Sequence, residues 1–165
     1  MPILDSNSVE FISRSPEQTR RVGMRLGGRL KPGDVICLAG DLGSGKTTLV
    51  QGIAAGWGSL DAATSPTFVL VNVYRRPPNQ KLYHLDAYRL SSGLEALDLD
   101  LDGYLETGPL VIEWADRILP LLPSDHLYIS FRSIDVEQRD MIFKAHGTRS
   151  AVLLANIRKH GSSGK

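Results

Sequence analysis

Gly40-Asp41-Leu42-Gly43-Ser44-Gly45-Lys46-Thr47 fits the spacing G-x-x-x-x-G-K-[ST]. Each residue type in it has a physical task. The glycines allow a tight backbone turn that brings successive N–H groups to one anion. A helix that starts at such a turn points its positive end at the same place. Lys46 then reaches the β- and γ-phosphates of a nucleotide, and the Thr47 hydroxyl is a magnesium ligand. A chance match in a chain this size is on the order of one in a hundred. The context agrees as well. Val35-Ile36-Cys37-Leu38-Ala39 reads as a strand buried on both faces, and Leu49, Val50, Ile53 and Ala54 follow at helical spacing up to Gly56 and Gly58. Strand, glycine loop and helix together predict a P-loop NTPase that binds ATP with magnesium. An ordinary Gly-rich turn explains the loop but not the Lys-Thr pair and the flanking pattern.

Outward from this centre, Val9–Ile12 reads as a short strand. Ser15-Pro16-Glu17-Gln18 opens a helix, with Ser15 as cap, Pro16 at the first position and Gln18 completing a capping box. That helix is expected to reach about Leu30, before Lys31-Pro32-Gly33. Phe68–Tyr74 and Lys81–Asp86, joined by Arg75–Gln80, read as a hairpin. Leu94–Leu105 suggests one or two short helices, Pro109–Trp114 a buried strand, Leu127–Ser133 with Met141–Ala145 a late hairpin, and Arg149–Arg158 a closing helix. The expected fold is α/β, a mainly parallel central sheet with antiparallel additions, flanked by helices. One domain spans 1–158, and the Gly/Ser-rich tail 159–165 is expected to be disordered.

A P-loop also needs an acid at the end of a neighbouring strand, holding magnesium directly or through water. Leu110-Val111-Ile112-Glu113 and Leu82-Tyr83-His84-Leu85-Asp86 both end in one. Strands often end in a surface acid, so neither is decisive alone. Glu113 is favoured for the metal and Asp86 for positioning a metal-bound or attacking water, although either order leaves the chemistry possible. The hydroxyls of Thr64-Ser65-Pro66-Thr67 suit a segment that senses the γ-phosphate; the plainer reading is a proline turn. His84 reads as a satisfied strand histidine sooner than a base. Trp57 and Trp114 read as packing residues, with Trp114 placed to border the nucleotide.

The 165 residues carry a net charge of +1, with 42% hydrophobic and 22% charged residues. There is thus no global electrostatic case for nucleic acid binding. Arg20-Arg21, Arg75-Arg76 and Arg158-Lys159 read as solvated surface. No stretch approaches the roughly 18 apolar residues of a membrane span. No basic segment followed by an apolar core opens the chain, and Cys37 is its single cysteine. These features lead to the expectation of a cytoplasmic protein.

Four blocks together, Gly40–Thr48 (GDLGSGKTT), Thr64–Phe68 (TSPTF), His84–Leu90 (HLDAYRL) and Val111–Trp114 (VIEW), resemble the TsaE (YjeE) family. These are bacterial ATPases of tRNA threonylcarbamoyladenosine synthesis, and the similarity covers about residues 10–150. The resemblance implies a component that binds and hydrolyses ATP while docked on the TsaB–TsaD pair, resetting it between cycles. TsaD transfers the threonylcarbamoyl group to adenosine 37 of tRNA, and TsaC supplies the donor adenylate. Contact with tRNA is expected only through the complex. Carried over by position, Asp41, Leu42, Gly43, Ser44, Gly45, Lys46, Thr47 and Thr48 cradle the nucleotide. Lys46, Asp86 and Glu113 carry catalysis, and Thr47 and Glu113 hold the metal. Thr64, Ser65 and Thr67 match a switch-like segment, and Trp114 a tryptophan near the base. Ser44 stands where the family commonly has alanine, and no family pattern is evident after about Ala145. Two rival readings are a small-molecule or nucleoside kinase, which requires a lid block not found here, and a nucleotide switch that does not hydrolyse.

Overall fold

Five residues without a polar interruption, Val35–Ala39, require cover on both sides, and the fold supplies it. The structure is a computed structural model and describes residues 3–5, 7–41, 43, 45–64, 71–88, 90 and 99–163, with the side chains of 3–5 and 159–163 left out. The elements in chain order are β1 (Ile3–Asp5), β2 (Ser8–Ser13), α1 (Pro16–Gly27), β3 (Val35–Ala39), α2 (Lys46–Trp57), β4 (Val71–Arg76) and β5 (Gln80–Asp86). They continue with α3 (Leu101–Thr107), β6 (Leu110–Glu113), β7 (His126–Ser133), β8 (Arg139–His146) and α4 (Thr148–Ser163).

Among the described residues eight strands form one sheet in the order β1-β2-β8-β7-β3-β6-β5-β4. The central four, β7, β3, β6 and β5, run parallel. Antiparallel additions flank them: β8, β2 and β1 on one side and β4 on the other. Alternate residues of the central strands feed two cores. Ile36, Leu38, Leu82 and Val111 meet α1, α2 and α4 on one face. Cys37, Leu85, Leu110 and Ile112 meet α3 and two 3-10 turns, Ala115–Arg117 and Leu119–Leu121, on the other. The result is the expected helix-flanked α/β sheet.

Several boundaries differ from those expected. The α1 cap is as foreseen, with Ser15 Oγ accepting from the Gln18 N–H at 3.2 Å. The Gln18 side chain, however, accepts from the Arg14 N–H at 2.7 Å, one residue earlier than a capping box places it. The helix ends at Gly27, before Leu30. Helix α3, one of the one or two expected in this segment, runs on past Leu105 to Thr107, and α4 runs past Arg158 to Ser163. Leu42, Ser44, Ser65 and Thr67 lie outside the described residues. So do the start of the strand expected from Phe68, the first part of the segment expected to be helical from Leu94, and the last two residues of the tail. No helix among the described residues is long and apolar enough to cross a membrane.

The helix that follows the phosphate loop is fixed by unusually close packing. A Cβ added at Gly27 of α1 would lie 2.0 Å from the carbonyl oxygen of Ile53, and one at Gly56 of α2 would lie 2.1 Å from that of Met24. The two helices therefore touch backbone to backbone. Since neither backbone can yield without moving its helix, Gly27→Ala is expected to destabilise the protein by about 3 kcal/mol. A thermal melt checks this, with Tm lowered by roughly 10 °C.

Candidate functional site

Parallel register sets the site. Leu38 of β3 lies opposite Glu113 of β6, and Glu113 lies opposite Asp86 of β5. Both acids thus reach the carboxyl edge of the sheet beside the end of β3, where ligands of open α/β sheets bind. From that edge the chain turns through Gly40–Gly45 into α2. Gly45 has φ 106°, a left-handed backbone that side-chain-bearing residues rarely adopt, and it starts α2 with no side-chain cap. The positive end of α2 thus faces the loop, and an anion fits there.

Lys46 is 5% exposed. Its ammonium donates to the carbonyl oxygens of Gly40 and Asp41, the second at 3.1 Å, and lies 4.0 Å from the centre of the Trp114 ring. Burial pushes its pKa below the usual lysine value, opposed by the carboxylates of Glu113, Asp86, Asp41 and Asp116. Burial likewise pushes the Asp86 carboxyl up. Glu113 adds to that rise, while the Tyr88 N–H and the Lys46 ammonium oppose it. Burial is the main cause of that rise, and a cation beside the carboxylate would favour its charged form.

Glu113 is 4% exposed and His84 wholly buried. The His84 Nε2 lies 2.5 Å from Glu113 Oε2, and its Nδ1 lies 2.8 Å from the Tyr74 hydroxyl. Tyr74 in turn meets the main chain of Thr64, whose N–H approaches the phenol oxygen at 3.3 Å. Asn72 Nδ2 donates to the Thr64 carbonyl at 2.9 Å. Asp86 accepts from the Tyr88 N–H at 2.9 Å, and the Tyr88 ring packs on Trp114 at 4.9 Å between centres.

The structure therefore gathers Lys46, Asp86, Glu113 and Trp114 in one place, beside the first turn of α2 that carries Thr47 and Thr48. Asp41, Gly43 and Gly45 lie in the loop itself. Thr64 joins through Tyr74 and His84. The Trp114 indole lies against the lysine ammonium. Among the described residues no three His, Cys, Asp or Glu side chains form a metal cage. Magnesium held largely by phosphates and waters needs only one or two protein oxygens. The Thr47 hydroxyl and Glu113, with Asp86 beside it, are hard donors of that kind, and they fit the metal.

Some participants carried no sequence signal strong enough to single them out. Arg139, at the start of β8, donates from Nη2 to the Gly43 carbonyl at 3.0 Å and from Nη1 to the carbonyls of Asp135, Val136 and Gln138. It ties the β7–β8 turn to the phosphate loop. In the sequence Tyr74 and Asn72 read only as strand residues, and His84 as a satisfied one sooner than a base.

Residues 13–141 match the family described as "Threonylcarbamoyl adenosine biosynthesis protein TsaE". This chain belongs to the TsaE family. It is 37% identical over 147 residues to the tRNA threonylcarbamoyladenosine biosynthesis protein TsaE of Bacillus subtilis, covering 88% of this chain and 91% of that one. The TsaE of Streptomyces coelicolor is 45% identical over 113 residues, 66% of this chain and 74% of that one. Among solved structures, Bacillus subtilis YdiB superposes with a TM-score of 0.76 at 33% identity, over 93% of this chain and 96% of YdiB. The TsaE match runs from the end of β2 into the start of β8, so the loop, both acids and the Thr64–Tyr74–His84 contacts all fall inside it.

Proposed function

We propose that this chain binds ATP with magnesium at Gly40–Thr47 and hydrolyses it as the nucleotide-driven component of tRNA N6-threonylcarbamoyladenosine synthesis. In this role it docks on the TsaB–TsaD pair and resets it between cycles. The observation that carries the reading is the convergence of Lys46, Glu113 and Asp86 at the ends of adjacent parallel strands in a chain of the TsaE family.

Each residue has a task that follows from its position. The backbone N–H groups at the start of α2 and the Lys46 ammonium hold the phosphates, the lysine giving up its loop carbonyls to do so. Thr47 and Glu113 hold the metal. Asp86, exposed enough to reach water and partly buried, orients the attacking water. Magnesium, when bound, neutralises charge on the phosphoryl oxygens. Trp114 and Tyr88 form an aromatic wall that excludes solvent from the lysine side of the site.

The test is ATP hydrolysis by the purified chain with magnesium, alone and with TsaB–TsaD. The expected result is slow hydrolysis that rises when the pair is added; related NTPases completed by a partner gain ~10³–10⁵ in rate. ATP binding without hydrolysis under either condition would leave a nucleotide switch, and ADP release that needs an added alcohol would indicate a kinase. Removal of magnesium with excess EDTA is expected to stop hydrolysis entirely, because the two site carboxylates then face the phosphates without a cation between them. Phosphate release with and without EDTA measures it.

A further inference from the structure

Tyr74, His84 and Glu113 come from three neighbouring strands, β4, β5 and β6, and lie on one face of the sheet, all at most 5% exposed. The strongest sequence-based reading of His84 is a buried histidine that is merely satisfied. Its bonding says more. We propose that His84 is a positioning residue for Glu113, and that Tyr74 sets the orientation of His84 from the main chain of Thr64. This rests on the reading of Glu113 as an acid of ATP hydrolysis.

The argument is a count of protons. The Thr64 carbonyl already accepts from Asn72 at 2.9 Å, and the Thr64 N–H donates to the Tyr74 oxygen at 3.3 Å. The phenol has one proton to give. Two acceptors lie within reach, His84 Nδ1 at 2.8 Å and the Thr64 carbonyl at 3.1 Å, and the shorter contact is to the histidine. When the phenol donates to Nδ1, the ring carries its N–H on Nε2, aimed at Glu113 Oε2 at 2.5 Å. Each donor among these four residues then has an acceptor. A buried carboxylate needs such donors to stay in one place, and carboxylates that ligate metals are themselves held by hydrogen bonds from surrounding groups. If the phenol proton goes to Thr64 instead, His84 Nδ1 loses its donor, and the tautomer that sets a proton between Nε2 and Glu113 loses the support of Tyr74. The main chain of Thr64 therefore competes with His84 for the proton that fixes the ring.

The experiment compares Tyr74→Phe, His84→Gln, His84→Leu and Glu113→Gln in the full chain, measuring kcat and KM for ATP hydrolysis, nucleotide affinity and thermal stability. Tyr74→Phe keeps the ring and the core and removes only the hydroxyl. It is expected to lower kcat by roughly 10-fold to 100-fold with KM and nucleotide affinity little changed. His84→Gln, whose amide can donate where Nε2 does, is expected to recover part of what His84→Leu loses. A merely structural role would lower stability and leave kcat of the folded enzyme alone, with glutamine no better than leucine. Wild-type kcat in Tyr74→Phe, beside a slow Glu113→Gln, overturns this proposal alone. Wild-type kcat in Glu113→Gln overturns the reading of Glu113 and this proposal with it.

Discussion

ATP binding is lost in Lys46→Ala, with affinity falling by about 10²-fold or more. The structure places the lysine ammonium at the junction of the loop and the two site acids. Without it, Glu113, Asp86, Asp41 and Asp116 present only negative charge to the triphosphate. Removing one member of a close charge pair in a site this buried costs about 3 kcal/mol. The loop loses its internal support too, since the carbonyls of Gly40 and Asp41 no longer have the ammonium to converge on. Equilibrium binding of a fluorescent ATP analogue measures this. The circular dichroism spectrum should stay that of the wild type, because α2 packs through Leu49, Val50 and Ile53, not through Lys46.

Glu113→Gln separates binding from chemistry. Hydrolysis is expected to fall by roughly 10²–10³-fold, within the range for removing a positioned catalytic acid or base. Nucleotide affinity should change little, since the phosphates are held by α2 and Lys46. Glutamine has the size of glutamate and keeps an oxygen that can accept from His84, so the core under it stays filled. Single-turnover phosphate release with saturating ATP distinguishes the two effects. Normal hydrolysis in this variant would move the metal assignment to Asp86, the other strand-ending acid.

The parts of this protein that were legible in its sequence are those where local chemistry leaves few choices. The turn from β3 to α2 needs glycine for its backbone, and the lysine and threonine that the proposed nucleotide and metal call for appear within the same eight consecutive residues. The strands carrying Asp86 and Glu113 are short apolar runs with an acid at the end, and they appear where expected. What could not be read depends on register across strands and on facing helices. His84 and Glu113 are 29 residues apart, and Tyr74 and His84 are 10 apart; only the pairing of β4, β5 and β6 brings them together. Arg139 meets Gly43 across 96 residues for the same reason. The glycines of α1 and α2 repeat at a spacing of four, Gly23 with Gly27 and Gly52 with Gly56, which is visible in the sequence. Their meaning appears only once the helices are seen in contact.

The most direct measurement is a reconstituted modification reaction with TsaB, TsaC and TsaD, limiting complex and excess tRNA, in which modified adenosines are counted per complex. TsaC forms an adenylate and so consumes nucleotide itself. The informative control is therefore the Glu113→Gln chain and not an ATP analogue. The account predicts that the wild-type chain sustains many rounds, while its omission or its Glu113→Gln variant stops the reaction after the first. A yield that is the same with the wild-type chain, with the variant and with neither would contradict it.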